Sequence, residues 1–239
     1  MNFPLETTRK HFRATVLITI LITLVLTFAS TASAHNVSKR DARFVQSNQG
    51  AAVAAFVYLG AKHMVTGYDH LAFLVGVIFF LYKLKDIVLY VSLFTIGHST
   101  TLLAGVLFGL HANSYVIDAI IGLSVVYKAF DNMDGFKRLF GFEPNTKIAV
   151  LIFGLFHGFG LATKLQELDL AKNGLVTNIV SFNVGVEIGQ VMALTAVLIL
   201  LSVWRTRKSF FRYAFATNTA LMTVGFLLVG YQITGYFNA

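Results

Sequence analysis

The chain has 239 residues, of which 56% are hydrophobic and only 13% are charged, and it contains no cysteine. Soluble domains carry about 25% charged residues, so the composition excludes an ordinary soluble domain, and 23 phenylalanines exclude a disordered chain. The lack of cysteine excludes disulfides, thiolate metal sites and a cysteine nucleophile. We therefore predict an all-α protein, a polytopic bundle of membrane helices.

Residues 1–34 have the pattern of an export signal. A basic start precedes the apolar run Val16–Ala29 and the small-residue sequence Ala32-Ser33-Ala34, as in cleavable signal peptides. Cleavage there makes His35 the mature N-terminus, followed by an exported polar tail that ends at residue 50. An uncleaved anchor helix is the alternative, and it leaves the tail on the same side of the membrane.

Residues 51–239 form the predicted transmembrane domain. Crossing a bilayer takes about 20 apolar residues, and five stretches approach or exceed this length: Ile87–Leu110, Tyr115–Phe130, Ile148–Thr163, Val176–Trp204 and Tyr213–Tyr236. A further stretch, Ala51–Tyr82, is too long for a straight span and has Gly67 near its middle. It fits one long tilted helix, one span broken at Gly67, or two half-helices in a re-entrant pair.

Loop charge favours a single crossing by this stretch. The cationic side chains then collect on one side of the membrane: Lys83, Lys85, Lys128, Lys137, Arg138, Lys147, Arg205, Arg207, Lys208 and Arg212. The opposite loops hold only Lys164 and Lys172. The positive-inside rule makes the first side cytoplasmic, which predicts six mature spans in a bacterial inner membrane with a periplasmic N-terminus. The net charge of +8 then indicates orientation and lipid contact, not binding of nucleic acid.

Titratable side chains occur on five of the six predicted spans. Such groups are costly in hydrocarbon and usually face a bundle interior or a cavity. The candidate metal ligands are His35, His63, Asp69, His70, His98, Asp118, His157 and Glu187. Each of His70, His98, His157 and Glu187 is roughly ten to twelve residues from a span boundary, which places it near the membrane midplane.

Helical spacing indicates which of these side chains share a face. Asn183, Glu187 and Gln190 follow the i, i+4, i+7 series, so we expect one polar stripe. His63 and His70 also share a face but lie about 10 Å apart on a continuous helix, which is long for chelating one ion. A break between them shortens that distance. Supporting hydrogen bonds around the ligands are expected from Thr95, Ser99, Asn183 and Gln190.

Imidazole and carboxylate ligands suit Zn²⁺, Ni²⁺ and Co²⁺, whereas Cu(I) prefers cysteine and methionine. The leading hypothesis is a permease for such a divalent ion. In it, His35, His63, His111 and Asp118 pass the ion to a site that is formed by Asp69, His70, His98, His157 and Glu187. The sequence contains no P-loop motif, which argues against a self-contained ATP-driven pump.

Two other functions fit the same residues. An intramembrane zinc hydrolase would bind zinc through His70, His98 and His157, leaving a fourth position for water, with Asp69 or Glu187 as general base. Against it, the chain has neither H-E-x-x-H nor G-x-S-x-G. The other alternative is a non-transporting subunit that binds metal only for structure. An oligomer is compatible with the apolar helix faces, and the sequence leaves its size open.

Four motifs resemble those of the HupE/UreJ family of membrane proteins. They are H-x-x-x-G-x-D-H-L at 63–71, F-T-x-A-H-S at 94–99, F-G-x-x-H-G at 153–158 and F-N-x-G-x-E-x-G-Q at 182–190. The likeness extends from about residue 35 to residue 236, with Gly97 in place of alanine and Asp118 in place of glutamate. It implies a nickel or cobalt permease associated with hydrogenase or urease maturation, and the choice of nickel or cobalt comes only from this resemblance.

Overall fold

The computed structural model describes residues 39–47, 50–167 and 172–239, and these residues form helices and loops without strands. The predicted signal and His35 lie outside the described residues. The helices are α1 (Lys39–Ser47), α2 (Val53–Thr66), α3 (Tyr68–Ile78), α4 (Leu84–Phe108), α5 (Ser114–Asn132), α6 (Gly135–Phe140), α7 (Thr146–Gln166), α8 (Leu175–Arg205) and α9 (Ser209–Asn238). The all-α prediction is confirmed.

Four of the described helices, α4, α7, α8 and α9, are long and apolar enough to cross a membrane, and α2 and α3 are shorter apolar helices. Helix α5 has 19 residues but carries Asp118, Lys128 and Asp131, which lower its hydropathy. The chain is therefore a helical membrane protein, while the count of six spans stays a prediction.

Local sequence signals set several helix ends. The side chain of Asn113 accepts a hydrogen bond from the Val116 N–H and caps α5, and Asn145 caps α7 in the same way. Gly109 follows the last residue of α4 with φ of 63°, a left-handed conformation that glycine adopts at little cost. These residues fix where α4 ends and where α5 and α7 begin, so that short loops connect the long helices.

The helix break at Gly67 divides the long first stretch into α2 and α3. Gly67 has φ −73° and ψ 98°, so it leaves the helical region through ψ alone. Its N–H donates to the His63 carbonyl at 2.8 Å, and its carbonyl accepts from the Leu71 N–H at 3.0 Å. One residue thus ends the first half-helix and begins the second, which is the broken span among the three predicted arrangements.

Both half-helices run in the same direction along α8. Near the start of α8, Asn178 accepts from the backbone N–H of Ala52 and donates to the carbonyl of Gly50, each at 2.8 Å. At the far end of α8, Arg205 donates to the carbonyl groups of Ile78 and of the residue after it. The stretch therefore begins at the Asn178 end of the bundle and finishes at the Arg205 end, and it does not fold back as a re-entrant pair would.

Three close helix pairs build the bundle: α2 packs on α8, α4 on α7, and α5 on α9. Glycines allow the backbones to touch, because a Cβ on Gly60 would lie 2.0 Å from the Phe182 carbonyl oxygen and a Cβ on Gly158 would lie 2.0 Å from that of His98. Small residues serve helix pairs in membranes in this way, where close van der Waals contact drives association.

The direction of the α4–α7 pair agrees with the predicted topology. Phe94 lies against Gly154, and Gly105, further along α4, lies against Ala162, further along α7. The two helices are therefore parallel, as expected if both run from the cytoplasmic side outward. The parallel contact also brings His98 beside the turn of α7 that contains His157.

Two apolar clusters fill the interior. The cluster toward the Asn178 end includes Val45, Phe56, Leu161, Phe182 and Ile179. The cluster toward the Arg205 end includes Phe73, Ile78, Phe79, Phe94 and Phe210. Val45 belongs to α1, so part of the predicted exported tail is a helix that packs into the bundle.

Candidate metal site at a helix break

Four histidines and one aspartate meet where the two apolar clusters join. Asp69, His70, His98 and His157 are buried and His63 is half-buried; we call these five residues the histidine cluster. The ring centroid of His70 lies 5.3 Å from that of His63, 5.7 Å from that of His98 and 4.7 Å from that of His157. His70 is thus the centre of a set contributed by α2, α3, α4 and α7.

Asp69, His70 and His157 are the members closest to a chelating geometry. One ligand atom from each lies within 4.8 Å of the other two. Two ligands that each lie roughly 2.1 Å from a zinc-like ion are roughly 3.4 Å apart in a tetrahedral site. A contraction of at most roughly 1.4 Å therefore brings the three atoms to one ion, with His98 and His63 at the edge of the group.

The contact between Asp69 and His70 orients the central ring. Nδ1 of His70 lies 3.2 Å from Oδ1 of Asp69. If Asp69 is ionised, its carboxylate only accepts hydrogen bonds, so Nδ1 of His70 carries the hydrogen and Nε2 carries the lone pair that a metal needs. Carboxylates commonly orient metal-bound histidines in this way. Asp69 also lies in the first turn of α3, where the positive end of the helix dipole stabilises its charge.

Gly67 leaves the space that this pair occupies. A Cβ at this position would lie 3.1 Å from Nδ1 of His70 and 3.3 Å from Oδ1 of Asp69. It would also lie 3.1 Å from the carbonyl oxygen of His63. Since φ at Gly67 suits any residue, the close approach of these three polar atoms is what favours glycine here. The same residue therefore breaks the helix and accommodates the candidate ligands.

A small cavity lies against the central ring. Its volume is about 10 Å³, and Met64, His70, Phe94 and Gln190 are among its lining residues. This is close to the volume that one water molecule requires. Gln190 is near the middle of α8, so the cavity and the histidine cluster lie about midway between the Asn178 end and the Arg205 end.

Ser124 on α5 contacts the ring of His157, and the sequence reasoning did not single it out. Its Oγ lies 3.1 Å from Nε2 of His157, and both residues are fully buried. The available signal was a serine within an apolar helix, at the depth of the midplane histidines. Serines in membrane helices commonly bond only to their own backbone, which is why this signal is weak.

Asp118 lies beside Lys164 and is outside the three-residue group of close ligand atoms. Oδ2 of Asp118 is 3.4 Å from Nζ of Lys164, and the aspartate is buried while the lysine is partly exposed. The lysine was assigned to a loop by sequence, but it lies in the last turn of α7. An ion pair between α5 and α7 is therefore the observed environment of this carboxylate.

The predicted polar stripe on α8 divides in the structure. Asn183 and Gln190 are buried, whereas the side chain of Glu187 is exposed on the outer face of the helix. Gln190 donates to Oγ1 of Thr95 at 2.8 Å, which links α8 to α4 close to the cluster. Glu187 as a metal ligand stays a prediction.

Two further residues with predicted roles at the metal site lie outside the group of close ligand atoms. Ser99 is half-buried on α4, next to His98 in sequence, and His111 is exposed between α4 and α5. Neither belongs to the group of close ligand atoms. Their predicted roles, supporting the ligands and guiding the ion, stay predictions.

Comparison with known proteins agrees with the motifs. The family model described as HupE / UreJ protein matches residues 39–239, a range that contains the whole histidine cluster. No match was found among curated proteins or among solved structures. The resemblance drawn from the four motifs is confirmed, and the chain belongs to the HupE/UreJ family, which is generally linked to nickel and cobalt transport.

Proposed function

We propose that this protein is an inner-membrane permease for a divalent transition-metal ion, with nickel or cobalt as the substrate and the histidine cluster as its binding site. The observation that supports the proposal most is the buried group formed by Asp69, His70 and His157 beside a helix break. The position of this group at the break, the chemistry of its ligand atoms and its depth in the bundle each support the proposal.

The helix break suits a transported cation. Secondary transporters often bind ions near the bilayer midplane at discontinuous helices, where the carbonyl ends of half-helices face the ion. Here α2 ends and α3 begins at Gly67, within contact distance of His70. The negative end of the α2 dipole favours a cation, and the charge of Asp69 offsets the positive end of α3.

The ligand chemistry selects a class of metal. Titratable side chains inside a membrane protein commonly mark an ion pathway, and imidazole nitrogens and carboxylate oxygens are ligands for a divalent ion. Nitrogen and oxygen ligands suit nickel, cobalt and zinc, and the chain has no cysteine for softer metals. The family link narrows the proposal to nickel or cobalt.

The proposed path enters from the periplasmic side. His63 is the half-buried member of the cluster and lies on α2, between the Asn178 end and His70. We infer that it receives the ion and passes it to His70. His35, His111 and Asp118 are proposed to attract the ion before that step, in line with their expected positions outside or near the outer surface.

The test is flux of radioactive nickel, cobalt and zinc into proteoliposomes. Nickel or cobalt uptake by the wild-type protein is expected to be lost in His70→Ala and in His157→Ala. Thr195→Val, an exposed site on α8, is the matched control and is expected to keep full uptake.

Three results would contradict the proposal. Equal uptake by the wild type and both histidine variants would exclude the cluster as the transport site. Turnover of lipid or peptide by the zinc-loaded protein without ion flux would favour a hydrolase. Stoichiometric metal that raises the melting temperature, with neither flux nor turnover, would favour a structural metal site.

A further inference from the structure

The hydroxyl of Ser124 lies within hydrogen-bond distance of two polar atoms and has one hydrogen to donate. Its Oγ lies 2.6 Å from the carbonyl oxygen of Ile121, one turn earlier on α5, and 3.1 Å from Nε2 of His157 on α7. The serine and the histidine are each fully buried. No water reaches such a position freely, so the hydrogen bonds of these two side chains are decided within the protein.

Counting hydrogens assigns the direction of both contacts. A serine hydroxyl has one hydrogen and two lone pairs. A carbonyl oxygen only accepts hydrogen bonds. The Ser124 hydroxyl therefore donates its hydrogen to the Ile121 carbonyl oxygen at 2.6 Å. The hydroxyl oxygen then faces Nε2 of His157 with a lone pair, and a hydrogen bond there requires the hydrogen to be on Nε2.

A neutral imidazole has one N–H, so this contact determines the tautomer of His157. We propose that Ser124 is a positioning residue that holds His157 in its Nε2–H tautomer and so makes Nδ1 the atom that the ring offers to the metal. The tautomer follows from the contacts of Ser124 alone. The role toward the metal rests on the proposed function.

The two closest histidines of the cluster are then held in opposite tautomers. An ionised Asp69, 3.2 Å from Nδ1 of His70, requires the hydrogen of that ring to be on Nδ1 and leaves Nε2 for an ion, whereas Ser124 places the hydrogen of His157 on Nε2 and leaves Nδ1. Each ring has one nitrogen occupied by a protein acceptor, as is usual for metal-binding histidines. Neither ring needs to move its hydrogen before an ion binds.

The decisive experiment is ¹⁵N NMR of the metal-free protein with ring-labelled histidine, because protonated and bare ring nitrogens have well-separated chemical shifts. The His157 signals are assigned from their loss in His157→Gln. The wild type is expected to show a protonated Nε2 and a bare Nδ1. Ser124→Ala is expected to give a mixture of both tautomers, and Ser124→Thr, which keeps the hydroxyl, is expected to restore the single tautomer.

Ser181→Ala is the matched control. Ser181 is a buried serine on α8 whose hydroxyl donates to the Thr177 carbonyl at 2.7 Å, so its loss removes the same kind of backbone contact. It is expected to leave the His157 signals unchanged. Metal titration completes the set, with affinity expected to fall roughly 10- to 100-fold in Ser124→Ala and to stay unchanged in Ser181→Ala.

A wild-type His157 that is protonated on Nδ1, or an unchanged His157 spectrum in Ser124→Ala, would overturn the proposal. If Ser124→Ala does not fold, the wild-type spectrum and Ser124→Thr still decide it. Failure of the wild-type protein to bind nickel, cobalt or zinc would contradict the proposed function instead, and the spectra of the metal-free protein would still decide the tautomer.

Discussion

The rings of His70 and His157 meet edge to face with their centroids 4.7 Å apart, although one belongs to the second half of a broken helix and the other to α7. Their contact is the tightest between histidines in the described part of the chain. It brings together two side chains that the sequence analysis assigned to one candidate metal site.

Loss of the central ligand is expected to weaken metal binding more than loss of a peripheral one. His70→Ala removes the ring that contacts all three other histidines, so affinity for nickel is expected to fall by more than roughly 100-fold, beyond the loss typical of a supporting residue. His98→Ala removes a ring outside the close group, and a smaller loss is expected. Equilibrium titration of the purified variants measures both, and equal losses would show that the site is not centred on His70.

Asp69→Asn is expected to lower nickel affinity by roughly 10- to 100-fold. The amide keeps an oxygen that accepts from Nδ1 of His70, but it lacks the negative charge that offsets a cation. Asp134→Asn, an exposed position between α5 and α6, is the control for loss of one charge. Unchanged affinity in Asp69→Asn would exclude this carboxylate from the site.

Gly67→Ala is expected to weaken metal binding while the protein still folds. The added methyl meets Nδ1 of His70 and the His63 carbonyl oxygen at 3.1 Å and Oδ1 of Asp69 at 3.3 Å, so these atoms must shift by a few tenths of an ångström. Gly230→Ala is the control, because its Cβ meets nothing within 4 Å and alanine favours a helix by about 1 kcal/mol. Titration together with thermal unfolding separates an effect on the site from one on the fold.

Gly158→Ala is expected to destabilise the α4–α7 pair. Its Cβ would lie 2.0 Å from the carbonyl oxygen of His98, a backbone atom that cannot rotate away, and overpacking of this kind costs about 1–3 kcal/mol. Thermal unfolding in detergent measures the loss. A melting temperature equal to that of the wild type would show that α4 and α7 leave room for a methyl group at Gly158.

The Asp118–Lys164 ion pair is expected to matter for stability. Lys164→Met leaves the buried carboxylate of Asp118 without this cation, and breaking a buried pair from one side costs about 3–5 kcal/mol. Because Lys164 is partly exposed, we expect about 1–3 kcal/mol after solvent screening. Adding Asp118→Asn to Lys164→Met is expected to restore part of the lost free energy of unfolding. Losses that simply add in the double-mutant cycle would contradict a direct interaction between Asp118 and Lys164.

Sequence reasoning predicted the depth of the histidines but only part of their orientation. Counting residues from a span boundary gives height along a helix, which is why His70, His98 and His157 were grouped. The direction in which a side chain points around the helix axis follows less closely from its sequence position. Positions i, i+4 and i+7 spread over roughly 60° of the circumference, and Glu187 lies at one edge of that arc on α8, facing outward.

The sequence pattern did not predict two of the contacts between distant helices. The break at Gly67 was one of three open arrangements, and loop charge favoured a single crossing. The contact of Ser124 with His157 joins α5 to α7 across 33 positions, and the contact of Lys164 with Asp118 joins the same helices. Neither has a periodic signal, because both depend on how two helices are turned toward one another.

The close packing of α2 on α8 has a consequence for how the protein assembles. All five residues of the histidine cluster have been synthesised once residue 157 has left the ribosome, yet α2, which carries His63, packs through Gly60 against Phe182 on a helix made later. Contacts that are distant in sequence form late because closing the intervening chain is slow. A nascent chain that ends after α7 therefore holds every residue of the histidine cluster without the helix that secures α2, so we expect the cluster to reach its final arrangement only when α8 is in place.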